Sequence, residues 1–219
     1  MYVEKQIETA KKLREAGIIP VLVLEEVQSG LKLLEVLQKA GLKAAEITYR
    51  TKAAPDVIKE AKKQFPDLFL GAGTVLNVDH LNQAFDLGAS FAVAPGFNPK
   101  IVQAAADKGY AFTPGVATPS EVEQAYSLGV RMFKFFPAEA LGGVAMIKNI
   151  IAPYKHLGIH FMPTGGVTAQ NAPDWLAVPE IACVGGTWLG KADDVKAGNW
   201  DKIEKDGRAA MEMLAKARG

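Results

Sequence analysis

The segment Phe133–Glu139 reads Phe-Lys-Phe-Phe-Pro-Ala-Glu, so it places Lys134 inside an aromatic run that is typical of a buried strand. A lysine ammonium is costly to desolvate, and sequences seldom put one in such a position. Burial favours the neutral amine, which is the nucleophilic form. Lowering its pKa by about 3 units from ~10.4 would give a lysine able to form a Schiff base near neutral pH. The alternative is a strand-end lysine whose ammonium reaches water past its apolar stem.

A second polar set lies in the apolar run Ala44–Tyr49 and just after it. By the period-two alternation of a strand, Glu46, Thr48 and Arg50 share one side, while Ile47 and Tyr49 face the other. A carboxylate can transfer protons, and a guanidinium fork suits a substrate carboxylate. Two plainer interpretations stay open, since Glu46 could only pair with a neighbouring cation and Arg50 could be a solvated loop residue.

Two further runs add polar side chains to the same end of the predicted sheet. In the third run Ala72 and Thr74 share a face, and the glycines beside Ala72 leave room along the backbone. In the sixth run Lys134 and Phe136 share a face. Thr74 could be a β-branched core residue, but the combination of amine, carboxylate, guanidinium and hydroxyl is more specific than any member.

Two glycine-rich segments are suited to an oxyanion. Pro163–Val167 and Val184–Trp188 each contain paired glycines, which let backbone N–H groups approach a phosphate closely. We predict that both segments are turns that follow strands. The alternative is a pair of tight turns that bind no ligand.

The elements that must position these residues follow one pattern, a short apolar run, a turn and an amphipathic segment. This alternation predicts parallel strands joined by helices, and eight such units predict a (β/α)₈ TIM barrel with its chemistry at the carboxyl ends of the strands. An open doubly wound sheet is the competing fold, but Leu22–Val27 lacks the glycines of its nucleotide-binding turn. The predicted strands are Ile18–Leu24, Ala44–Tyr49, Phe69–Thr74, Phe91–Pro95, Tyr110–Pro114, Met132–Pro137, His160–Thr164 and Ile181–Val184.

Helix signals occur where this scheme needs them. Asn77, Thr118 and Thr168 are predicted to begin helices as N-cap residues. Met1–Gly17 and Trp200–Ala217 are predicted to be an extra N-terminal helix and a closing helix.

Composition narrows the class of protein. The chain of 219 residues, about half of them apolar, can form one domain over residues 1–219. A net charge of +1 without a basic patch argues against a nucleic-acid partner, and the charged N-terminal segment argues against a membrane span or signal peptide. Cys183, the one cysteine, suits a cytoplasmic protein. The three histidines, His80, His156 and His160, do not form a ligand cluster, so a metal-dependent mechanism is disfavoured.

Over nearly its whole length the chain resembles the family of 2-keto-3-deoxy-6-phosphogluconate (KDPG) and 4-hydroxy-2-oxoglutarate (KHG) aldolases. The resemblance rests on the two Gly-Gly segments and on Glu46–Thr51, Gly71–Leu76, Ala94–Gly96 and Phe133–Glu139. It implies a class I aldolase without metal or cofactor on a (β/α)₈ barrel, acting on a small phosphorylated 2-keto acid and usually assembled as a homotrimer.

The resemblance also implies roles for individual residues. Lys134 would be the Schiff-base lysine and Glu46 the general acid and base, while Arg50 and Thr74 would hold the pyruvate carboxylate region. The pocket would be lined by Pro95, Phe136 and Thr164, and the phosphate would contact Gly165, Gly166, Gly185, Gly186 and Thr187. Relatives carry serine where this chain has Thr187, and a commonly aliphatic residue where it has Tyr49.

Other functions fit parts of the pattern. A phosphate-binding TIM barrel of other chemistry, such as a sugar-phosphate epimerase or a thiamine-phosphate synthase, would share the glycine-rich segments but would not form an imine with pyruvate. A non-catalytic phosphometabolite-binding protein or an engineered scaffold would bind phosphate without turnover. The choice among KDPG, its galactose-derived epimer and 4-hydroxy-2-oxoglutarate does not follow from spacing.

Overall fold

The computed structural model describes residues 1–219 as an alternation of short strands and helices. The strands are β1 Ile18–Leu22, β2 Ala44–Thr48, β3 Phe69–Gly73, β4 Phe91–Val93, β5 Phe112–Thr113, β6 Gly115–Val116, β7 Met132–Phe135, β8 His160–Pro163 and β9 Val184–Gly186. The helices are α1 Tyr2–Ala16, α2 Val27–Lys39, α3 Ala54–Gln64, α4 Val78–Asp86, α5 Pro99–Lys108, α6 Pro119–Ser127, α7 Gly143–Ile151, α8 Ala172–Leu176, α9 Ala192–Lys196 and α10 Trp200–Arg218, with a 3-10 helix over Ala152–Leu157. None of the helices is long and apolar enough to cross a membrane.

All strand pairs are parallel, and the strands form a curled sheet of six and a second sheet of three. The larger sheet has the order β5-β4-β3-β2-β1-β9, and the smaller has the order β6-β7-β8. Pro114 separates β5 from β6, since proline has no N–H to donate to a ladder. The predicted α/β fold with parallel strands is therefore confirmed.

All eight predicted strands overlap observed strands, but the eighth, predicted over Ile181–Val184, shares only Val184 with β9. Its ladder runs over Val184–Gly186, which pairs with Ile18–Pro20, whereas Ile181 contributes only an isolated bridge to Phe161. The glycine pair therefore belongs to the strand itself and not to a following turn. Glycine is needed there, because a Cβ on Gly185 would lie 2.4 Å from Thr164 Oγ1.

Two of the three predicted N-cap residues are confirmed. Asn77 and Thr118 are the N-caps of α4 and α6, and Thr118 forms a reciprocal capping box with Glu121. The prediction for Thr168 was wrong, because α8 begins at Ala172 after Asn171. Thr168 and Asn171 instead bond to each other across the intervening turn.

Alternation along the strands separates two cores. A large apolar core lies between the strands and the helices, and it includes Ile18, Ala45, Ala92, Phe133 and Phe161. The neighbouring strand residues Ile19, Ala44, Phe91, Met132 and Met162 belong to a second core that also contains Leu13 and Ala16 of α1. The predicted N-terminal helix thus packs against the inner core.

A buried polar side chain fixes α1 in that position. Gln6 is fully buried and donates a hydrogen bond to the carbonyl oxygen of Phe112 at 2.9 Å. Its side-chain oxygen accepts from the backbone N–H groups of Arg131 and Met132, both at 3.3 Å. One amide therefore joins α1 to two strands, as the pairing of buried polar groups requires.

Candidate active site

All of the predicted site residues line a single cavity of about 320 Å³. They come from the carboxyl ends of the strands and the segments that follow, where parallel α/β folds gather their functional side chains. The lining residues are Val21, Glu46, Arg50, Thr74, Pro95, Lys134, Phe136, Thr164, Gly165, Gly166, Val167, Gly185, Gly186 and Thr187.

The centre of the cavity is an amine beside a carboxylate. Lys134 on β7 is 5% exposed, Glu46 on β2 is fully buried, and the Nζ atom of the lysine lies 3.4 Å from Oε1 of the glutamate. The Nζ atom also lies 5.6 Å from the centroid of the Phe136 ring. The second carboxylate oxygen, Glu46 Oε2, is buried and has no hydrogen-bond partner. Buried carboxylate oxygens are normally satisfied, so this one is available to a ligand or a water molecule.

Two inward-facing glycines of β3 make the room for this pair. A Cβ on Gly73 would lie 2.1 Å from Glu46 Oε1, and a Cβ on Gly71 would lie 2.2 Å from the Phe91 ring. Ala72 points the other way and packs in the outer core. The prediction that Ala72 and Thr74 share a face is therefore wrong.

Thr74 reaches the cavity because the strand ends one residue before it. Its φ of 57° is the one positive value among the non-glycine residues. This left-handed conformation turns the side chain away from the alternation that Ala72 would extend. For a β-branched residue it is costly, and such strain is often found at functional sites.

Arg50 supplies a free cation at the open end of the cavity. Its side chain is exposed and takes part in none of the ion pairs or side-chain hydrogen bonds of the structure. Thr48, which alternation places on the same side, is instead buried and donates to the carbonyl oxygen of Leu22 at 2.9 Å. Glu46 therefore pairs with Lys134 and not with Arg50, which leaves the guanidinium for a ligand.

The turn after β8 presents backbone donors. Gly165 and Gly166 have φ values of 96° and 81°, which glycine adopts without strain. The N–H groups of Gly165, Gly166 and Val167 donate to no acceptor within the chain, and the buried hydroxyl of Thr164 has no partner. Successive free N–H groups in such a turn form an anion-binding concavity.

Val21 and Val167 line the cavity but were not predicted. Val21 lies directly beside Glu46 in the β1–β2 register, and it is buried. Only that register distinguishes it from the other apolar residues of the strand. Val167 belongs to the predicted glycine-rich segment, and a buried aliphatic residue gives no chemical signal of its own.

Several titratable groups lie outside the cavity. Tyr49 faces α4 as predicted, with its ring 5.1 Å from that of His80, and burial raises its pKa to about 12. His160 begins β8 at the end opposite the cavity, and burial lowers its pKa. The thiol of Cys183 is completely buried, which raises its pKa. No three side chains of the His, Cys, Asp or Glu types come together as a potential metal site.

Comparison with known proteins gives a consistent class. A model of the KDPG and KHG aldolase family matches residues 9–206. The chain is 43% identical over 213 residues to the 2-dehydro-3-deoxy-phosphogluconate aldolase of Haemophilus influenzae, covering 97% of each chain. It is 37% identical over 200 residues to the KHG/KDPG aldolase of Escherichia coli K12, covering 91% of this chain and 93% of the relative.

A solved structure agrees with the sequence relatives. The KDPG aldolase of Legionella pneumophila, captured with pyruvate as a covalent carbinolamine intermediate, superposes with a TM-score of 0.88 at 34% identity, covering 92% of this chain and 97% of that one. The fold and the cavity together define a carbon–carbon lyase of the aldolase class. The chain belongs to the KDPG and KHG aldolase family.

Proposed function

We propose that this aldolase is a class I enzyme that cleaves KDPG to pyruvate and glyceraldehyde 3-phosphate, the aldol cleavage of the Entner–Doudoroff pathway, and that it also acts on 4-hydroxy-2-oxoglutarate. The observation that carries the proposal is the buried Lys134 Nζ at 3.4 Å from Glu46 Oε1 inside the one cavity that collects the polar residues. An amine nucleophile beside a proton-transfer group is the minimum that imine chemistry requires.

The reaction begins with attack of the neutral Lys134 amine on the C2 carbonyl of the substrate. Loss of water gives a protonated imine, which accepts the electron pair of the breaking C3–C4 bond and becomes an enamine. Glu46, directly or through a water molecule, takes the proton of the C4 hydroxyl as the aldehyde leaves. The same carboxyl returns a proton to C3 of the enamine, and hydrolysis of the imine releases pyruvate and restores the amine.

The remaining lining residues bind the two ends of the substrate. Arg50 pairs with the carboxylate of the keto acid, assisted by the hydroxyl of Thr74. The walls are formed by Pro95, Phe136 and Thr164, and the phosphate is bound by Gly165, Gly166, Gly185, Gly186 and Thr187. Binding energy from the phosphate, which is remote from the cleaved bond, holds the C3–C4 bond in line with the imine π system.

We also infer that the two sheets are parts of one closed (β/α)₈ barrel, formed by a single domain over residues 1–219. Two observations support closure. The backbone hydrogen bonds from Ala94 N to Thr113 O and from Lys134 N to Pro114 O give β5 and β6 the neighbours of one strand interrupted by Pro114. The bridges Phe161–Ile181 and Thr164–Gly185 join the free edges of β8 and β9.

We infer a homotrimer in the cytoplasm as the working form. Support for the assembly is the family resemblance, and support for the compartment is the single buried thiol of Cys183. Light scattering coupled to gel filtration tests the assembly, because a trimer has three times the chain mass of 23.4 kDa. A monomer at micromolar concentration would contradict it.

Borohydride reduction with and without pyruvate, followed by intact mass and peptide mapping, tests the proposed function. The expected result is a pyruvate-dependent adduct on Lys134. A folded enzyme without an adduct would contradict the imine chemistry and return the chain to the phosphate-binding barrels of other reactions. An adduct without release of aldehyde from KDPG would retain the chemistry and reject the substrate.

A further inference from the structure

The phosphate-binding turn after β8 is held from behind by the segment after β7. The backbone N–H of Ala138 donates to the carbonyl oxygen of Thr164 at 2.8 Å, and that of Glu139 donates to Gly165 O at 3.0 Å. The next carbonyl oxygen, Gly166 O, accepts from the Asn171 side chain at 3.1 Å. Three successive carbonyl groups are thus occupied by protein donors, while the N–H groups of the same turn donate to no acceptor in the chain.

The Glu139 side chain reaches past this turn to the helix beyond it. Its Oε1 atom accepts a hydrogen bond of 2.7 Å from the indole Nε1 of Trp175 in α8. Trp175 is fully buried, and its ring packs 6.2 Å from that of Phe135. The contact therefore connects the exposed start of the β7 loop to the core beneath it.

Gly166 lies against the same side chain. A Cβ on Gly166 would be 2.6 Å from Glu139 Cβ, so the turn and the glutamate stem pack closely. A carboxylate this near to a phosphate-binding turn is electrostatically unfavourable for an anionic ligand. Its presence is explained by the hydrogen bond that it accepts and not by its charge.

We propose that Glu139 and Trp175 are positioning residues that hold the Gly165–Gly166 turn with its carbonyl groups turned away from the cavity and its N–H groups free for the substrate phosphate. This inference rests on the proposed function, since it assigns the supports of the proposed phosphate site. Neither side chain lines the cavity, so both act through the turn.

The test compares two aldehydes that differ only in a phosphate group. Condensation of pyruvate with D-glyceraldehyde 3-phosphate and with D-glyceraldehyde is measured for Glu139→Ala, Glu139→Gln and Trp175→Phe. The readout is the ratio of kcat/KM for the phosphorylated aldehyde to kcat/KM for the unphosphorylated one. Glu139→Ala and Trp175→Phe are expected to lower this ratio roughly 10-fold, chiefly by raising KM for the phosphorylated aldehyde.

Glu139→Gln separates the hydrogen bond from the charge. The glutamine keeps an acceptor oxygen for Trp175 and removes the repulsion, so its ratio is expected to equal or exceed that of the parent enzyme. A loss as large as that of Glu139→Ala would overturn the proposal. An equal loss with both aldehydes in Glu139→Ala would also overturn it, because that result describes a general structural defect.

A matched control pair joins α6 to the 3-10 helix and lines no part of the cavity. Tyr154 donates to Glu123 at 2.8 Å, which is the same type of aromatic-to-carboxylate hydrogen bond away from the cavity. Glu123→Ala and Tyr154→Phe are expected to leave the ratio unchanged. Should Trp175→Phe fail to fold, the exposed Glu139 still provides the decisive variants.

Calorimetric titration with inorganic phosphate measures the anion affinity of the Gly165–Gly166 turn without depending on catalysis. The dissociation constant is expected to rise about 10-fold in Glu139→Ala, in line with the loss of a positioned anion site, and an unchanged constant would overturn the proposal. Borohydride trapping with pyruvate on the same samples tests the proposed function. An adduct with unchanged phosphate affinity rejects the positioning role alone, whereas weakened phosphate binding without any adduct rejects the aldolase chemistry alone.

Discussion

Lys134 and Glu46 form a buried pair whose geometry is better suited to proton transfer than to stabilisation. Desolvating both groups costs about as much as their attraction returns, so a pair at 3.4 Å with one unpartnered carboxylate oxygen adds little to the free energy of folding. Removing either side chain would leave the other buried in the core without its ion-pair partner. We therefore attribute the pair to the imine chemistry proposed above and not to the stability of the fold.

Substitutions of Lys134 and of Glu46 are expected to affect imine formation and turnover differently. Lys134→Ala abolishes imine formation, so borohydride trapping and turnover are both lost. Glu46→Gln keeps the amine, so pyruvate is still trapped, while turnover falls on the order of 10²–10⁴-fold because proton transfer at C4 and C3 is lost. Intact mass after borohydride reduction, paired with steady-state rates, measures both. Normal turnover by Glu46→Gln would contradict the role assigned to the carboxyl.

Substitutions of Thr74 test whether the backbone at the end of β3 is left-handed. In most strand positions alanine is more stabilising than glycine, but at a φ of 57° the order reverses because glycine carries no Cβ. Thr74→Gly is therefore expected to be more stable than Thr74→Ala by about 1 kcal/mol. Urea unfolding of the two variants measures the difference, and both lack the hydroxyl, so their activities are directly comparable. The ordinary order, with alanine more stable, would rule out the left-handed conformation.

The chemical identity of the site residues could be predicted from the sequence, because a lysine in an aromatic run and a carboxylate in an apolar one are individually costly. The orientation of Thr74 could not. Period-two alternation predicts the side of Thr74 only if the strand continues, but β3 ends at Gly73 and the backbone changes conformation at Thr74. The supporting bond between Trp175 and Glu139 was equally invisible, since its partners are 36 positions apart.

At the scale of elements, β3 is a strand whose two inward glycines serve different neighbours. Gly71→Ala would press a methyl group on the Phe91 ring, and Gly73→Ala would press one on the Glu46 carboxylate. The first is expected to lower the free energy of unfolding by about 1–3 kcal/mol through overpacking. The second is expected to reduce turnover by about 10²-fold, because it displaces the proposed proton-transfer group. Chemical unfolding and steady-state kinetics on both variants measure the separation.

Gly96→Ala is the control for this pair. Its Cβ would meet no atom within 4 Å, so neither stability nor turnover should change by more than a small amount. If Gly73→Ala behaved like Gly96→Ala in kinetics, the close contact between β3 and Glu46 would have no functional consequence.

Elements defined by local chemistry could be predicted, and those defined by distant contacts could not. The caps at Asn77 and Thr118 need only the residues that follow them. The bounds of β9 depend on its ladder with β1 and on the space that Thr164 requires, and the start of α8 depends on how the preceding turn is bonded. The sequence pattern predicts a turn for the two glycines of Val184–Trp188, whereas the register with β1 places both of them in the strand.

At the scale of the whole molecule, the carboxyl ends of the strands form the cavity and the amino ends contribute to stability. The cavity lies at the carboxyl ends, and α1 packs at the amino ends through Gln6. Gln6→Ala leaves the carbonyl of Phe112 and the N–H of Met132 without this buried partner, so it is expected to cost about 1–3 kcal/mol of unfolding free energy. Its kcat/KM should stay close to that of the parent enzyme. Lys11→Ala on the exposed side of α1 is the control, and a selective loss of activity in Gln6→Ala would contradict this division.

The same division predicts a pH dependence of stability that originates far from the site. His160 lies at the start of β8, where burial and the nearby Arg14 lower its pKa below the ordinary 6.5, outweighing the opposing effect of Glu180. Well above pH 6.5 the imidazole is neutral in both the folded and the unfolded chain and adds no pH dependence. As the pH falls below 6.5, the unfolded chain takes up the proton first, so the folded state loses stability until the folded pKa is passed.

Replacing His160 should remove that part of the acid sensitivity. Urea unfolding between pH 5 and 7.5 is expected to show a smaller loss of unfolding free energy in His160→Gln than in the parent enzyme. The reason is that glutamine binds no proton in either the folded or the unfolded chain. His156→Gln, at an exposed position of the 3-10 helix four residues earlier, is the matched control for replacing a histidine. Equal slopes in all three proteins would mean that His160 titrates alike in the folded and unfolded chain, and that the amino end of the strands contributes no pH-dependent stability through this residue.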